Sequence, residues 1–123
     1  MAAERRVRRG MSYDECRAAV ETYRAAWQAQ DVSAMVAMYA ADGVFVDPRH
    51  PPFVGRDAIR SWYERALADF THSRVDYTRV VVEPPSAVAE WVSYLSHGAR
   101  RFAFHGVSVF EVQIGRASCR ERV

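Results

Sequence analysis

The hydrophobic pattern of this 123-residue chain changes its period once along the sequence. Up to Phe70 the apolar residues recur every three or four positions, which is typical of amphipathic helices. From residue 74 onward they alternate over 74–82, 87–95 and 101–112, and this alternation predicts three strands. Short connections make these strands antiparallel neighbours. Helices followed by an antiparallel sheet predict an α+β domain with its helices packed on one face of a curved sheet.

The helical half contains recognisable helix starts. Ser12 and Glu15 form a capping box ahead of the first predicted helix. Asp31 is placed to cap a short second helix, and Asp57 is placed to cap the third. A short strand is predicted over 44–47, where a proline-rich loop begins. A sheet that curls over helices can enclose a pocket, so we expect the functional residues there.

The positive charge of the chain is concentrated at its ends. All 17 basic residues are arginine, against 15 acidic residues, but residues 11–113 carry only 10 Arg against 13 acids. Residues 1–10 therefore form a basic N-terminal tail on a mildly acidic domain, and we expect no nucleic-acid partner. No apolar run approaches the roughly 20 residues of a membrane span, so no membrane partner is expected. The first arginines are not followed by an apolar stretch, which favours a cytoplasmic location over secretion.

Residues 114–123 resemble the translated sequence of a sequencing-library adaptor at all ten positions. The alternation of apolar residues also stops at Gln113. We therefore expect a domain over 11–113 that is truncated at its C-terminus and lacks its last strand, followed by a non-native tail. The strand over 101–112 would then be an exposed sheet edge. A genuine charged tail is the alternative.

Asp47 is the most informative charged residue when the residues are considered alone. It follows Phe45 on the same face of a predicted strand, so both side chains should point inward. A carboxylate in an apolar interior is costly unless it is used or paired. This favours a pocket position, and the alternative is a turn-forming Asp at the strand end. We expect the pocket to be completed by three more aromatic residues, Trp62, Phe102 and Phe104.

A family resemblance is sharpest over residues 31–67. The segments MVAMYAADGVFVDP at 35–48 and PPFVGRDAI at 51–59, followed by Trp62 and Tyr63, resemble the SnoaL-like branch of the NTF2-like superfamily. More narrowly they are similar to bacterial ketosteroid isomerases. The resemblance implies a cone-shaped α+β fold, a pocket for a small hydrophobic molecule, no cofactor, and a homodimer. The superfamily contains enzymes and non-catalytic binders, so the fold alone does not determine the function.

The resemblance also implies roles for individual residues. Asp47 falls on the family's proton-shuttling base, and Tyr23 falls on the tyrosine that donates a hydrogen bond to the developing oxyanion. Tyr39 and Tyr63 fall on two further tyrosines that hydrogen-bond around it. Moving a double bond next to a carbonyl needs such a base and such a donor. The implied activity is isomerisation of a hydrophobic ketone of the steroid or polyketide type.

One position departs from the family's pattern. The family has a protonated Asp on its penultimate strand as a second oxyanion donor, where this chain has Gly106 or Ser108. Ser108 is a weaker donor, and loss of one such donor typically lowers the rate about 10²–10³-fold. This departure favours the alternative of a non-catalytic ligand-binding or dimerisation module. A third interpretation keeps Asp47 but changes the reaction to polyketide cyclisation or hydration.

The remaining polar residues give weaker signals. Glu90 is a second pocket carboxylate if Val88 and Val92 face inward, and an exposed residue if its neighbour Trp91 does. No two histidines have the i, i+4 spacing of helical metal ligands, so no metal site is expected. Cys16 lies on the apolar face of the first helix, where a single cysteine usually packs in the core.

Overall fold

The computed structural model describes residues 11–113 and 116–122, with side chains described at all of these except 72, 73, 113 and 116–122. The predicted basic tail, residues 1–10, lies outside the described residues. In chain order the elements are α1 (Tyr13–Gln28), α2 (Val32–Ala37), β1 (Val44–Phe45), β2 (Phe53–Val54), α3 (Arg56–Asp69), β3 (Thr71–Glu83), β4 (Ser86–His97), β5 (Arg100–Gln113) and β6 (Arg116–Arg122). The predicted order, helices first and long strands after, is confirmed.

Two of the three predicted helix caps are confirmed. The hydroxyl of Ser12 accepts from the backbone N–H of Glu15 at 3.0 Å, and the Glu15 carboxylate accepts from the Ser12 N–H at 3.2 Å. The Asp31 carboxylate caps α2 in the same way. The prediction for Asp57 is wrong, because the N-cap residue of α3 is Gly55, which has φ +86° and makes no side-chain cap. Asp57 lies instead in the first turn, where its negative charge interacts favourably with the positive end of the helix dipole.

The long strands form one antiparallel sheet in the order β3-β4-β5-β6, and β1 and β2 form a separate two-stranded ribbon. In the central pair, Trp91 lies opposite Gly106, and Ala89 lies opposite Ser108. Since side chains alternate along each strand, these residues share one face, and that face is covered by the helices. The arrangement is the α+β cone of the NTF2-like fold, with the helices packed on the concave side of the sheet.

A fourth strand covers the far edge of this sheet. Arg116–Arg122 pairs antiparallel with the part of β5 that runs from Val107 to Gln113. The expectation that β5 is left as an exposed edge, with no strand beyond Gln113, is therefore wrong. Strand pairing uses backbone N–H and C=O groups, so an extended segment without proline can pair even where its apolar residues do not alternate. That residues 114–123 are non-native stays a prediction.

The core lies between α1 and the concave face of the sheet. Cys16, Val20 and Tyr23 of α1 are buried against Ala87 and Phe110 of the sheet. Burial raises the pKa of the Cys16 thiol, in keeping with its predicted core position. Among the described residues, no helix combines the length and the apolar character that crossing a membrane requires.

Candidate functional site

A cavity of about 280 Å³ lies between the helices and the concave face of the sheet. Its walls are mostly aromatic, formed by Tyr23, Trp27, Phe45, Trp62, Phe70, Tyr77, Trp91, Phe102 and Phe104. The polar or charged side chains on its wall include Asp47, Arg49, Ser93 and Ser108. Such a cavity favours a mainly apolar ligand that carries one or two polar atoms.

Asp47 lies in the loop after β1, and its side chain is only 2% exposed. Arg49, two residues further on, holds both carboxylate oxygens: Nε donates to Oδ1 at 3.1 Å and Nη2 donates to Oδ2 at 2.9 Å. The backbone N–H of Arg49 also donates to Oδ1, at 3.0 Å. These hydrogen bonds from Arg49 lower the pKa of the Asp47 carboxyl, and they outweigh the burial that acts in the opposite direction. Asp47 is therefore a fully ionised carboxylate at neutral pH.

The mouth of the cavity beside Asp47 is more exposed than the carboxylate itself. The Arg49 side chain is 63% exposed, and the ring of His50 is half exposed, with Nδ1 at 3.5 Å from Asp47 Oδ2. His50, in the proline-rich loop, thus lies against the pocket carboxylate. Phe102 and Phe104, which also line the cavity, are partly exposed as well.

Three tyrosines from three helices or their ends meet behind the cavity. The hydroxyl of Tyr63 contacts the hydroxyl of Tyr23 at short range and that of Tyr39 at 2.8 Å. The indole Nε1 of Trp27 donates to the Tyr23 hydroxyl at 3.0 Å. All three tyrosines are buried, and only Tyr23 lines the cavity. The chain of hydroxyls therefore reaches the cavity at Tyr23.

The opposite wall carries a second polar pair. Trp91 Nε1 donates to the Ser108 hydroxyl at 2.9 Å, and both residues line the cavity. The indole lies against Gly106, where a Cβ atom would overlap its ring carbons. Trp91 thus faces inward and Glu90 is exposed, which decides between the two orientations left open by the sequence.

The structure brings most of the predicted site residues together. Seven of them line the cavity: Tyr23, Phe45, Asp47, Trp62, Phe102, Phe104 and Ser108. The other two lie behind it: Tyr63 is one hydrogen bond from the cavity-lining Tyr23, and Tyr39 is one hydrogen bond further away, through Tyr63.

Sequence reasoning missed the partners of the two principal residues. Arg49 was missed as the partner of Asp47, although the Asp-x-Arg spacing around a proline allows a side chain to fold back. Trp27 was missed as the partner of Tyr23. Its spacing of four residues from Tyr23 is the signal that the two side chains meet. Within the part of the chain that the structure describes, no group of three or more His, Cys, Asp or Glu residues is arranged to hold a metal ion.

Comparison with known proteins agrees with this architecture. The SnoaL-like domain family matches residues 20–119, and the chain belongs to this family. No curated protein matches the chain significantly.

Three similar solved structures show the same fold. A hypothetical protein from Catenulispora acidiphila with a ketosteroid isomerase-like fold, in complex with trimethylamine, is 21% identical with a TM-score of 0.74, and the match covers 85% of this chain and 82% of that one. An LEH-like epoxide hydrolase from M. tuberculosis is 24% identical with a TM-score of 0.72, covering 85% and 78%. A putative polyketide cyclase from Xanthomonas campestris is 19% identical with a TM-score of 0.77, covering 90% and 91%. At these identities the likeness establishes the fold and leaves the reaction to the site.

Proposed function

We propose that the chain binds a small hydrophobic carbonyl compound in the cavity and moves a proton on it, with Asp47 as the base and Tyr23 as the hydrogen-bond donor to the carbonyl oxygen. The observation that carries this proposal is that a 2% exposed carboxylate and a buried phenol line the same largely aromatic cavity. A buried carboxylate is costly, and a ligand-facing position gives it a use. The family resemblance supports the same two roles.

The proposed reaction needs no group beyond these two and the ligand. Asp47 removes a proton from the carbon between the carbonyl and a double bond. The electron pair of the broken C–H bond moves onto the carbonyl oxygen, giving a dienolate whose oxygen accepts a hydrogen bond from Tyr23. The carboxylic acid formed at Asp47 then returns the proton at the far end of the dienolate, and the double bond moves into conjugation.

Arg49 sets the strength of the base in this scheme. Its hydrogen bonds keep Asp47 ionised and ready to accept a proton, but a lowered pKa also makes the carboxylate a weaker base. Arg49 is largely exposed, so it can turn toward solvent when Asp47 becomes protonated. We therefore expect slow isomerisation. The lack of an acidic oxyanion donor at positions 106 and 108 leads to the same expectation.

The size of the cavity restricts the ligand. Its volume of about 280 Å³ lies at the lower end of ligand pockets, which typically enclose roughly 300–1,000 Å³. A ligand of one or two rings fits inside. A larger ligand, such as a steroid, has to project past the partly exposed Phe102 and Phe104.

A second candidate function is ligand binding without turnover. The observation that favours it is that Arg49 occupies both oxygens of Asp47, which leaves the carboxylate paired as in a structural ion pair. Related acid–base reactions are a third candidate, since one structural neighbour is a putative polyketide cyclase and another is an LEH-like epoxide hydrolase. Homodimer formation also stays a prediction, and light scattering after size exclusion tests it.

The test compares two ketones and three variants. Isomerisation of 5-androstene-3,17-dione and of cyclohex-3-en-1-one is followed by the ultraviolet absorbance of the conjugated product. We expect Asp47→Asn to abolish turnover and Tyr23→Phe to lower kcat by about 10²–10³-fold. Asp42→Asn changes the same group at an exposed turn and serves as the matched control. Equal turnover in Asp47→Asn and wild type overturns the mechanism, whereas ligand binding without turnover of either ketone supports the second candidate.

A further inference from the structure

We infer that Trp27 is a positioning residue that strengthens Tyr23 as an oxyanion donor, an inference that rests on the proposed role of Tyr23. The two side chains lie one helical turn apart on α1, and Trp27 Nε1 donates to the Tyr23 hydroxyl at 3.0 Å. An indole N–H can only donate, so the Tyr23 oxygen is the acceptor in this contact. Both residues line the cavity.

The indole N–H affects the phenol where the charge develops. When Tyr23 donates its proton toward a ligand oxyanion, electron density builds up on the Tyr23 oxygen. A hydrogen bond received from Trp27 stabilises that density, and hydrogen bonds that polarise one another are mutually strengthened in a dry environment. Tyr63, on the other side, can donate to the same oxygen. With Trp27 and Tyr63 donating to its oxygen, the Tyr23 proton is directed into the cavity.

The surrounding rings hold this geometry. The Tyr23 ring packs edge-on against Phe110 with centroids 5.4 Å apart, and the Trp27 indole packs edge-on against Tyr63 at 5.5 Å. Trp27 therefore touches two members of the tyrosine chain, one through a hydrogen bond and one through its ring. Trp62 lines the same cavity and also packs edge-on against Tyr63, at 5.2 Å, which makes it a suitable comparison for loss of an indole.

The experiment measures how strongly the chain prefers an oxyanion over a neutral molecule of the same shape. The probes are 4-nitrophenolate, at a pH where it is ionised, and 4-nitrotoluene, both measured by equilibrium dialysis with absorbance detection. Affinity for the neutral compound reports packing, and the charges of Asp47 and Arg49 on the cavity wall are the same in every variant. A change in the ratio of the two affinities between variants therefore reports the hydrogen bonds to the oxyanion. The variants are Trp27→Phe, Tyr23→Phe, the double variant and Trp62→Phe.

We expect Trp27→Phe to lower this ratio roughly three- to tenfold, the range for loss of one net hydrogen bond. In the Tyr23→Phe background the same change should leave the ratio unaltered, because Trp27 acts through the Tyr23 oxygen. Trp62→Phe should change both affinities together and keep their ratio. Trp27→His keeps a ring N–H but packs less well than phenylalanine. Compared with Trp27→Phe, it should bind 4-nitrotoluene more weakly, and its ratio of phenolate to toluene affinity should fall less.

Two results overturn the inference. They are an unchanged ratio in Trp27→Phe, and an equal loss of the ratio when Trp27→Phe is added to the Tyr23→Phe background. Failure of the proposed function gives a different result, because the chain then turns over no ketone. If such a chain still loses part of its preference for the phenolate in Trp27→Phe, the role of Trp27 is supported. The two failures are therefore distinguishable.

Discussion

Arg49 folds back over Pro48 and binds both carboxylate oxygens of Asp47, at 3.1 Å through Nε and 2.9 Å through Nη2. The two residues belong to one loop, yet one carboxylate is buried and its partner guanidinium is largely exposed. The exposed guanidinium thus neutralises a charge inside the cavity from its mouth. This pairing determines both how Asp47 contributes to stability and how strong a base it is.

The first prediction concerns the free energy of unfolding and its dependence on pH. The folded-state pKa of Asp47 is lowered, so its stabilising contribution is present above the unfolded pKa of about 3.9 and is lost as the pH falls through the folded value. Arg49→Gln leaves a buried carboxylate with fewer donors and should cost about 1–3 kcal/mol at pH 7. That deficit should shrink as the pH falls through the folded-state pKa of Asp47, which lies below the ordinary carboxyl value.

Chemical denaturation at a series of pH values measures this effect. Arg65→Gln, on the exposed side of α3, removes the same charge and should change the free energy of unfolding by less than about 0.5 kcal/mol at any pH. A deficit of Arg49→Gln that is independent of pH would show that the ion pair is not its source.

The second prediction concerns the pH dependence of catalysis. If Asp47 is the base, kcat/KM falls only where Asp47 is protonated, and its lowered pKa places that acid limb below the ordinary carboxyl range. In Arg49→Gln the guanidinium no longer lowers the pKa, so the acid limb should move to higher pH. Initial rates of ketone isomerisation between pH 3 and 8 measure the acid limb of wild type and that of Arg49→Gln. Identical pH profiles for the two proteins would contradict the role of Arg49.

The third prediction concerns the close contact between Gly106 and Trp91. A methyl group at position 106 would overlap the indole ring, so Gly106→Ala has to displace Trp91 from its hydrogen bond with Ser108. We expect a cost of about 1–3 kcal/mol in the free energy of unfolding, together with a changed tryptophan fluorescence spectrum. Gly98→Ala is the control, because position 98 has no neighbouring atom within 4 Å and its positive φ makes the variant costly without moving Trp91. An unshifted spectrum in Gly106→Ala would refute the contact.

The fourth prediction concerns the capping box of α1. Ser12→Ala removes the hydroxyl that accepts from the Glu15 N–H and should cost about 1 kcal/mol. Ser61→Ala, at an exposed position within α3, should stay within about 0.5 kcal/mol of wild type. Thermal denaturation followed by circular dichroism measures both variants, and equal melting temperatures would show that the cap is not needed.

Periodicity in the sequence predicted the helices and the three long strands up to Gln113. Alternation from residue 74 onward predicted the three long strands, and the alternation of Phe45 and Asp47 predicted that both are buried. The prediction of the strands holds because the side-chain period of an element is a local property. Asp47 is buried although it lies in the loop after β1, where the Arg49 backbone N–H and guanidinium bind its carboxylate. Asp57 failed as a cap because the start of α3 depends on contacts from elsewhere, including the hydrogen bond of the Gly55 N–H to Gly43.

The site depended on tertiary structure for its partners. Tyr23, Tyr39 and Tyr63 lie 16 and 24 residues apart in the chain, and only the packing of the helices brings their hydroxyls together. The strand after Gln113 was missed because backbone pairing carries no side-chain signal. The sequence by itself determined the helices and the three long strands up to Gln113, since side-chain periodicity is a local property. The tertiary structure alone decided which donors surround Asp47 and Tyr23, because hydrogen bonds require side chains to meet within about 3 Å in space.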